Sequence, residues 1–293
     1  MTHYTEESTS RSVQAKDWTI HYNEAGTGHP ILFLHGTGPG ATGWSNFHQN
    51  IDLANKYRML MVDFPGWGRS SELKPGGPQV NALADAIVAM MDALEIPQAS
   101  FVGNSMGGAM ALEVLCRAPE RISHLITMGS GVLAPPLMSP GGLSQGLKVL
   151  AETYRDPSPE NFRRLVEVMV FDASYATDEL MRQRSEAALA NPAHLVNWLE
   201  GWASWRPSMN PQLIPTLMHT DTPCLFIHGR DDRTIHWESS LRAAGLAPNA
   251  RMVLLNRCGH WAQLEHTEEF NTLIDNFITQ SDRFGGGGAG TGG

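Results

Sequence analysis

The feature that most constrains this chain is a short apolar strand that runs into a glycine-bracketed turn and then into a helix. Residues 101–108 read FVGNSMGG. Gly103 and Gly107 bracket Ser105 in the G-x-S-x-G pattern, in which a strained strand-to-helix turn exposes a serine hydroxyl. Glycines are needed there because neighbouring backbone crowds the turn. The pattern predicts a nucleophilic serine, although a glycine-rich turn that serves only packing has the same signature.

The rest of the chain alternates between short apolar runs and segments with helical spacing. Residues 31–34, 57–63, 122–128, 224–228 and 251–255 read as strands, and residues 80–94 and 266–279 read as amphipathic helices. This alternation predicts an α/β fold with a mostly parallel sheet covered by helices on both faces.

The alternation stops between residues 132 and 213. This segment lacks a good buried strand and is rich in methionine, tryptophan and proline. We expect it to be a helical lid inserted into a core formed by residues 1–131 and 214–283. Its tryptophans, Trp198, Trp202 and Trp205, either pack between helices or line a substrate pocket. The glycine-rich tail, residues 284–293, has the composition of a flexible linker.

Charge, the length of apolar runs and cysteine content exclude several classes of function. The formal net charge of −9 gives no basic surface for nucleic acid or an anionic membrane. No apolar run approaches the roughly 18 residues of a membrane helix, and residues 1–14 lack the apolar core of a signal peptide. The sparse cysteines, Cys116, Cys224 and Cys258, indicate reduced thiols and a cytoplasmic protein, and no ligand spacing suggests a metal.

A serine hydroxyl needs a base, and the base needs an acceptor that orients it. Both partners follow Ser105 in the order acid then histidine, which is the order of this strand-to-helix arrangement. Asp231 and Asp232 follow one predicted strand, and His260 follows the next. The spacing of three residues from Gly229 favours Asp232 as the acid, and leaves Asp231 as the alternative that pairs with a neighbouring arginine.

The oxyanion formed during attack on a carbonyl needs preorganised N–H donors. Met106 supplies the amide directly after the nucleophile, and Thr37 is the candidate for the second backbone donor. Thr37 lies between Gly36 and Gly38 in the loop after residues 31–34. A phosphate-binding loop is the alternative, but the segment lacks the Gly-Lys-Ser/Thr ending of such loops.

Several segments together resemble the meta-cleavage product hydrolases of the α/β-hydrolase superfamily, the carbon–carbon bond hydrolases of bacterial aromatic-ring degradation. The matching segments are residues 35–47 (HGTGPGATGWSNF), 103–108 (GNSMGG), 183–187 (QRSEA), 229–233 (GRDDR) and 258–263 (CGHWAQ). The resemblance runs from about residue 19 to residue 278. It implies the α/β-hydrolase fold with an eight-stranded, mostly parallel sheet, no cofactor, and a homodimer or higher homo-oligomer.

The resemblance also implies the reaction. Water would split the C5–C6 bond of a 2-hydroxy-6-oxo-6-substituted-hexa-2,4-dienoate, giving 2-hydroxypenta-2,4-dienoate and a carboxylic acid. Arg184 matches the lid arginine of the family, with Arg182 as its rival, and its planar fork suits a carboxylate. Asn46, Asn104 and Trp261 match the partners around the same end of the substrate. The alternatives are that Asn46 caps a helix and that Trp261 packs in the core.

A carboxylesterase or lactonase with the same triad is the nearest alternative, because the triad alone does not select the substrate. A clamp built on Arg184 and the asparagines would serve no purpose for a plain ester. The sequence fixes neither the group at carbon 6 nor the way in which Ser105 is deprotonated.

Overall fold

The computed structural model describes residues 3–73, 79–132, 137–138, 141–202 and 210–285. Trp205 and residues 286–293 of the predicted tail lie outside these ranges, as does the side chain of Trp202. The eight strands are β1 (Ser10–Ala15), β2 (Trp18–Ala25), β3 (His29–Leu34), β4 (Tyr57–Val62), β5 (Ala99–Asn104), β6 (Ile122–Met128), β7 (Cys224–Gly229) and β8 (Ala250–Leu255).

These strands form one sheet in the order β1-β2-β4-β3-β5-β6-β7-β8. The pairs β1–β2 and β2–β4 are antiparallel, and every other pair is parallel. The predicted α/β-hydrolase sheet is therefore confirmed. The strand β1 was not predicted, because its sequence SRSVQA is polar and pairs only with β2.

The helices in chain order are α1 (Glu6–Thr9), α2 (Gly43–Phe47), α3 (Gln79–Ala93), α4 (Met106–Arg117), α5 (Gln145–Arg155), α6 (Pro159–Met169), α7 (Asp178–Leu189), α8 (Pro192–Trp202), α9 (Leu213–His219), α10 (Glu238–Leu246), α11 (Ala262–Glu265) and α12 (Thr267–Gly285). Short 3₁₀ turns cover His48–Asn55, Pro119–Arg121 and Ala173–Tyr175. The helices α5 to α8 all fall between β6 and β7. None of the described helices combines the length and the apolar composition that crossing a bilayer requires.

The sheet separates two apolar cores. Successive side chains of a strand point to opposite faces, so Leu32 and Leu34 of β3 enter the core beneath α3 and α4, whereas Ile31 and Phe33 enter the core beneath α12. All six residues of β5 are buried. Because parallel strands are covered on both faces, their carboxyl ends are the exposed edge at which such sheets build their sites.

Candidate active site

Ser105 lies in the turn between β5 and α4, in a strained conformation. Its φ of 52° and ψ of −112° fall in the positive-φ region that non-glycine residues rarely adopt, at a cost of about 1–3 kcal/mol. A Cβ on Gly103 would lie 2.5 Å from the carbonyl carbon of Gly107, and one on Gly107 would lie 2.0 Å from Leu34 O. The two glycines are therefore needed for this close backbone approach, and the turn has the geometry of a nucleophile elbow.

The loop after β3 runs directly against this turn. A Cβ placed on Gly36 would lie 3.4 Å from Ser105 Cβ. Met106 opens α4, so its N–H belongs to the first turn, whose amides have no partner within the helix and form the positive end of the helix dipole. The predicted oxyanion loop, with Thr37, and the serine elbow thus meet at one place in the fold.

Asp232 and His260 form a buried hydrogen-bonded pair. His260 Nδ1 lies 2.6 Å from Asp232 Oδ2, and the backbone N–H groups of Thr234 and Ile235 donate to Asp232 Oδ1 at 2.7 and 2.9 Å. Asp231 instead accepts from the backbone N–H of Arg257 at 3.1 Å. Asp231 also lies 3.7 Å from a guanidinium nitrogen of the adjacent Arg230. Of the two candidate acids, only Asp232 contacts the imidazole.

The imidazole of His260 lies at the end of β6, beside the strand that carries Ser105. A Cβ on Gly129 would lie 2.7 Å from His260 Nδ1, and the backbone N–H of Ser105 donates to Met128 O at 2.9 Å. Ser105 Oγ makes no hydrogen bond within the described part of the chain, so the serine–imidazole bond is not formed in this conformation. Catalytic hydrogen bonds of this kind often tighten only when substrate binds.

A histidine that the sequence analysis passed over completes the surroundings of the acid. His228 is fully buried at the end of β7, and its Nε2 lies 3.2 Å from Asp232 Oδ2. Burial raises the pKa of the Asp232 carboxyl, but the charge of His260 and the hydrogen bonds from His228 and His260 outweigh it, so the pKa lies well below its usual range. The position of His228, four residues before Asp232, was the one sequence signal that pointed to this contact.

The depressed pKa of Asp232 predicts a pH-dependent contribution to stability. An acid whose pKa is lower in the folded than in the unfolded state stabilises the fold above the unfolded-state pKa of about 3.9, and this stabilisation is lost as the pH falls through the folded-state pKa. Between pH 5 and pH 3, the free energy of unfolding of the wild type should therefore fall by about 1 kcal/mol more than that of Asp232→Asn. Urea unfolding at both pH values measures the difference, and equal losses in the two proteins would contradict it.

Arg184 is the most unusual charged residue near the triad. Its guanidinium carbon lies 4.9 Å from the centroid of the Trp261 ring, within cation–π range. Burial lowers the pKa of Arg184 to about 10, so the group keeps its charge at neutral pH, and its Nε is enclosed without a hydrogen-bond partner. Within the described ranges no carboxylate pairs with it. A half-buried guanidinium without a carboxylate partner is able to bind an anionic group.

The rival arginine has a different environment. Arg182 is exposed on α7, and its guanidinium pairs with Glu179 at 2.5 Å and Glu186 at 2.9 Å. Its charge is already satisfied in solvent, so Arg182 offers nothing to a ligand beside Trp261.

The side-chain amides of the two predicted asparagines differ in their hydrogen bonds within the protein. Asn46 Nδ2 donates to Thr42 O at 3.0 Å, so its amide holds the first turn of α2. Asn104 Nδ2 donates to His260 O at 3.1 Å, whereas its Oδ1 is buried without a partner. Asn104 therefore links the serine turn to the histidine loop and keeps one acceptor free.

The hydroxyl of Thr37 ties the oxyanion loop to the inserted helices. Trp198 Nε1 of α8 donates to Thr37 Oγ1 at 3.0 Å, and the Tyr154 hydroxyl of α5 lies 3.3 Å from the same oxygen. Trp67 Nε1 lies 3.1 Å from both the Tyr154 hydroxyl and the carbonyl oxygen of Gly38. The rings of Tyr154 and Trp198 stack at 3.6 Å. Trp198 thus packs between helices. The hydroxyl of Thr37 makes two polar contacts that a glycine at this position could not make.

Across the residues that the structure describes, no three or more His, Cys, Asp or Glu side chains are grouped to hold a metal ion.

Comparison with known proteins places this geometry in a family. A family model described as the alpha/beta hydrolase fold matches residues 29–267. The chain therefore belongs to the α/β hydrolases, and the Ser105 turn beside the Asp232–His260 pair lies where that fold positions a serine, an acid and a histidine.

Relatives narrow the assignment. The chain is 41% identical over 282 residues, 94% of this chain and 97% of the relative, to the 2-hydroxy-6-oxononadienedioate/2-hydroxy-6-oxononatrienedioate hydrolase of Burkholderia vietnamiensis. It is 38% identical over 287 residues, 96% of this chain and 100% of the relative, to the 2-hydroxy-6-oxo-6-phenylhexa-2,4-dienoate hydrolase of Comamonas testosteroni. The meta-cleavage product hydrolase of Pseudomonas fluorescens IP01 superposes with a TM-score of 0.82 at 30% identity, covering 92% of this chain and 98% of that one. The chain is a member of the meta-cleavage product hydrolases.

Proposed function

We propose that this enzyme hydrolyses the C5–C6 bond of 2-hydroxy-6-oxo-6-substituted-hexa-2,4-dienoates in bacterial aromatic catabolism. The observation that carries the proposal is Arg184, a charged, half-buried guanidinium that lies over the ring of Trp261, the residue that follows His260. The names of the two relatives share the 2-hydroxy-6-oxo-dienoate portion and differ in the group attached at carbon 6. A carboxylate clamp at Arg184 serves the shared portion of such substrates.

The clamp prepares the carbon skeleton for cleavage. The dienoate must become its keto tautomer before the bond breaks, so that carbon 5 leaves as a stabilised carbanion equivalent. Arg184 would hold the C1 carboxylate through charge-assisted hydrogen bonds. Asn104, whose Oδ1 is unpartnered, and Trp261, whose ring lies against Arg184, would contact the same end, together with Asn46 and the backbone at Gly36 and Gly38.

Ser105 would then attack the C6 carbonyl while His260 accepts the hydroxyl proton. Asp232 fixes the tautomer of the imidazole, because its carboxylate accepts the Nδ1 proton. The backbone N–H groups of Met106 and Thr37 would stabilise the oxyanion. Carbon 5 already carries the proton that it gained on tautomerisation. When the C5–C6 bond breaks, its electrons pass through the conjugated system to the C2 oxygen, which takes the proton from His260, and 2-hydroxypenta-2,4-dienoate leaves. Water activated by His260 hydrolyses the acyl-enzyme to the carboxylic acid and frees Ser105.

We propose that residues 132–213 form a lid over this site. Arg184 on α7 reaches Trp261, and Trp198 on α8 bonds the oxyanion loop. A Cβ on Gly40 of that loop would lie 2.6 Å from Ala188 N of α7. The inserted helices thus supply the proposed anion clamp and cover the loop that carries Thr37.

We propose further that the enzyme is a cytoplasmic homodimer. The family resemblance supports the dimer, and Cys116, Cys224 and Cys258 are free thiols, as a reducing compartment favours. Light scattering on the full chain tests the assembly, for which a mass of twice 32.1 kDa is expected.

The reaction is tested by mixing the wild type with the yellow 6-phenyl dienoate and following its visible absorbance. Steady bleaching is expected, because hydrolysis shortens the conjugated system, with one equivalent each of 2-hydroxypenta-2,4-dienoate and benzoate formed. The nonadienedioate run in parallel measures the preference at carbon 6. Rapid hydrolysis of p-nitrophenyl esters with both dienoates unchanged would contradict the proposal and favour a carboxylesterase.

A further inference from the structure

The C-terminal end of α6 meets the loop that carries His260. α6 ends at Met169 with Val170 as its C-cap residue, and the last carbonyls of a helix have no donor within the helix. The backbone N–H of His260 donates to Met169 O at 2.6 Å. A Cβ on Gly259 would lie 2.3 Å from the same oxygen, so only glycine allows this approach. His260 is thus held by α6 through its main chain as well as by Asp232 through its side chain.

The same helix end meets the loop that carries Asp232. Arg233 Nη2 donates to Val170 O at 2.7 Å and to Glu167 O at 2.5 Å. A cation is favourable at this end of a helix, because the unpaired carbonyls carry partial negative charge. The hydroxyl of Thr234 lies 3.1 Å from Met169 Sδ in the buried interior. The acid loop and the base loop are therefore both docked on residues 167–170.

Glu265 closes this junction from the side of α11. Its Oε2 accepts from the backbone N–H of Gly259 at 2.6 Å, and its Oε1 accepts from those of Phe171 at 2.6 Å and Asp172 at 3.2 Å. Burial raises the pKa of Glu265, although the three N–H donors act in the opposite direction. One carboxylate therefore fastens the residue before His260 to the segment that leaves α6.

We propose that Glu265 is a positioning residue, which clamps residues 259–260 onto the end of α6 and so keeps the imidazole of His260 in register with Ser105. Arg233 does the same for Asp232 through the carbonyl groups of Glu167 and Val170. Neither side chain is assigned a contact with substrate. The inference rests on the proposed triad and deepens it. The His260–Asp232 and Arg257–Asp231 hydrogen bonds join the two catalytic loops directly, and the contacts described above fasten both loops to α6 as well.

The test uses Glu265→Gln, which keeps the size of the side chain but replaces one acceptor oxygen with an N–H₂ group. The amide has only one acceptor oxygen. It can accept either from the backbone N–H of Gly259 or from those of Phe171 and Asp172, and the other bonds are lost. A misplaced base slows chemistry without changing dienoate binding, and a displacement of about 1 Å can cost about 100-fold. We expect kcat for the dienoate to fall 10- to 100-fold with KM within about twofold of the wild type.

A second readout separates this inference from the proposed reaction. Phenylmethylsulfonyl fluoride sulfonylates an activated serine with loss of fluoride, and the proton is taken by the base, so the rate of inactivation reports on the Ser105–His260 pair without the dienoate. Glu265→Gln should lower this rate by the same factor as kcat. Arg233→Gln should lower both rates as well, and Arg233→Lys should recover part of each because it restores the cation.

Two exposed residues, one on α12 and one on α6, serve as matched controls. Glu269→Gln on α12 removes an exposed carboxylate 3.4 Å from His266, and Arg164→Ala on α6 removes an exposed pair with Glu152. Both should keep wild-type rates. A lowered melting temperature for Glu265→Gln with unchanged kcat and sulfonylation would overturn the inference. Failure of the reagent to label Ser105 in the wild type would instead overturn the proposed triad.

Discussion

Ser105→Ala is expected to lower dienoate turnover by about 10⁴-fold or more, since removing the nucleophile of a serine triad leaves only the contribution of binding and the oxyanion hole. The fold should persist, because the Ser105 side chain has no hydrogen-bond partner among the described residues and its backbone bonds to Met128 O and Ala109 N do not involve the hydroxyl. Loss of visible absorbance under single-turnover conditions, with a large excess of enzyme, measures the residual rate.

Ser123→Ala is the matched control for this variant. Ser123 lies near the start of β6, at the opposite end of the parallel strands, where its hydroxyl contacts Ser100 and His124. Turnover by Ser123→Ala should stay close to that of the wild type. Retention of more than about one per cent of turnover by Ser105→Ala would contradict a nucleophilic role, because that loss falls far short of the cost of removing a nucleophile.

Arg184→Ala is expected to lower kcat/KM much more for the dienoate than for a plain ester. Truncating one partner of a buried, hydrogen-bonded charge pair costs about 2–5 kcal/mol, and a loss of about 3–4 kcal/mol corresponds to a 10²- to 10³-fold lower kcat/KM for the dienoate. A p-nitrophenyl ester has no carboxylate for the clamp, so its kcat/KM should change by less than about fivefold. Steady-state kinetics on both substrates measures the two losses.

Arg182→Ala provides the control within the same helix. Arg182 stands two residues away, and its exposed pairs with Glu179 and Glu186 are worth little in solvent. It should behave like the wild type on both substrates. Equal losses of kcat/KM for Arg184→Ala on the dienoate and on the ester would show that Arg184 does not bind the substrate carboxylate. The structural reason to prefer carbon–carbon bond cleavage over ester hydrolysis would then be gone.

The sheet and the serine elbow were predictable because their signals are local. The apolar runs of β3 to β7 are dictated by burial on both faces. The glycines around Ser105 follow from a clash that any side chain would create with the backbone of Leu34 or Gly107. The strand β1 gave no such signal, because an edge strand with a partly exposed face can be polar.

The contacts that hold the catalytic loops in place could not be predicted in the same way, because they join segments that are distant in the sequence. Phe171 and Glu265 are 94 residues apart and meet only when α6 packs against the loop before α11. The hydroxyl of Thr37 finds Trp198 across 161 residues. A loop residue with the right chemistry suggests a role by its spacing from a strand, as Asp232 does, but a residue that acts by holding another loop carries no pattern of its own.

The central claim is that one pocket holds the dienoate by its carboxylate at Arg184 and presents carbon 6 to Ser105. The most direct measurement is a crystal structure of Ser105→Ala soaked with the 6-phenyl dienoate. We predict the C1 carboxylate within hydrogen-bond distance of the Arg184 guanidinium, and the C6 carbonyl oxygen facing the backbone N–H groups of Met106 and Thr37. A ligand bound in the reverse orientation, with its carboxylate away from Arg184 and its phenyl group against Trp261, would contradict the account.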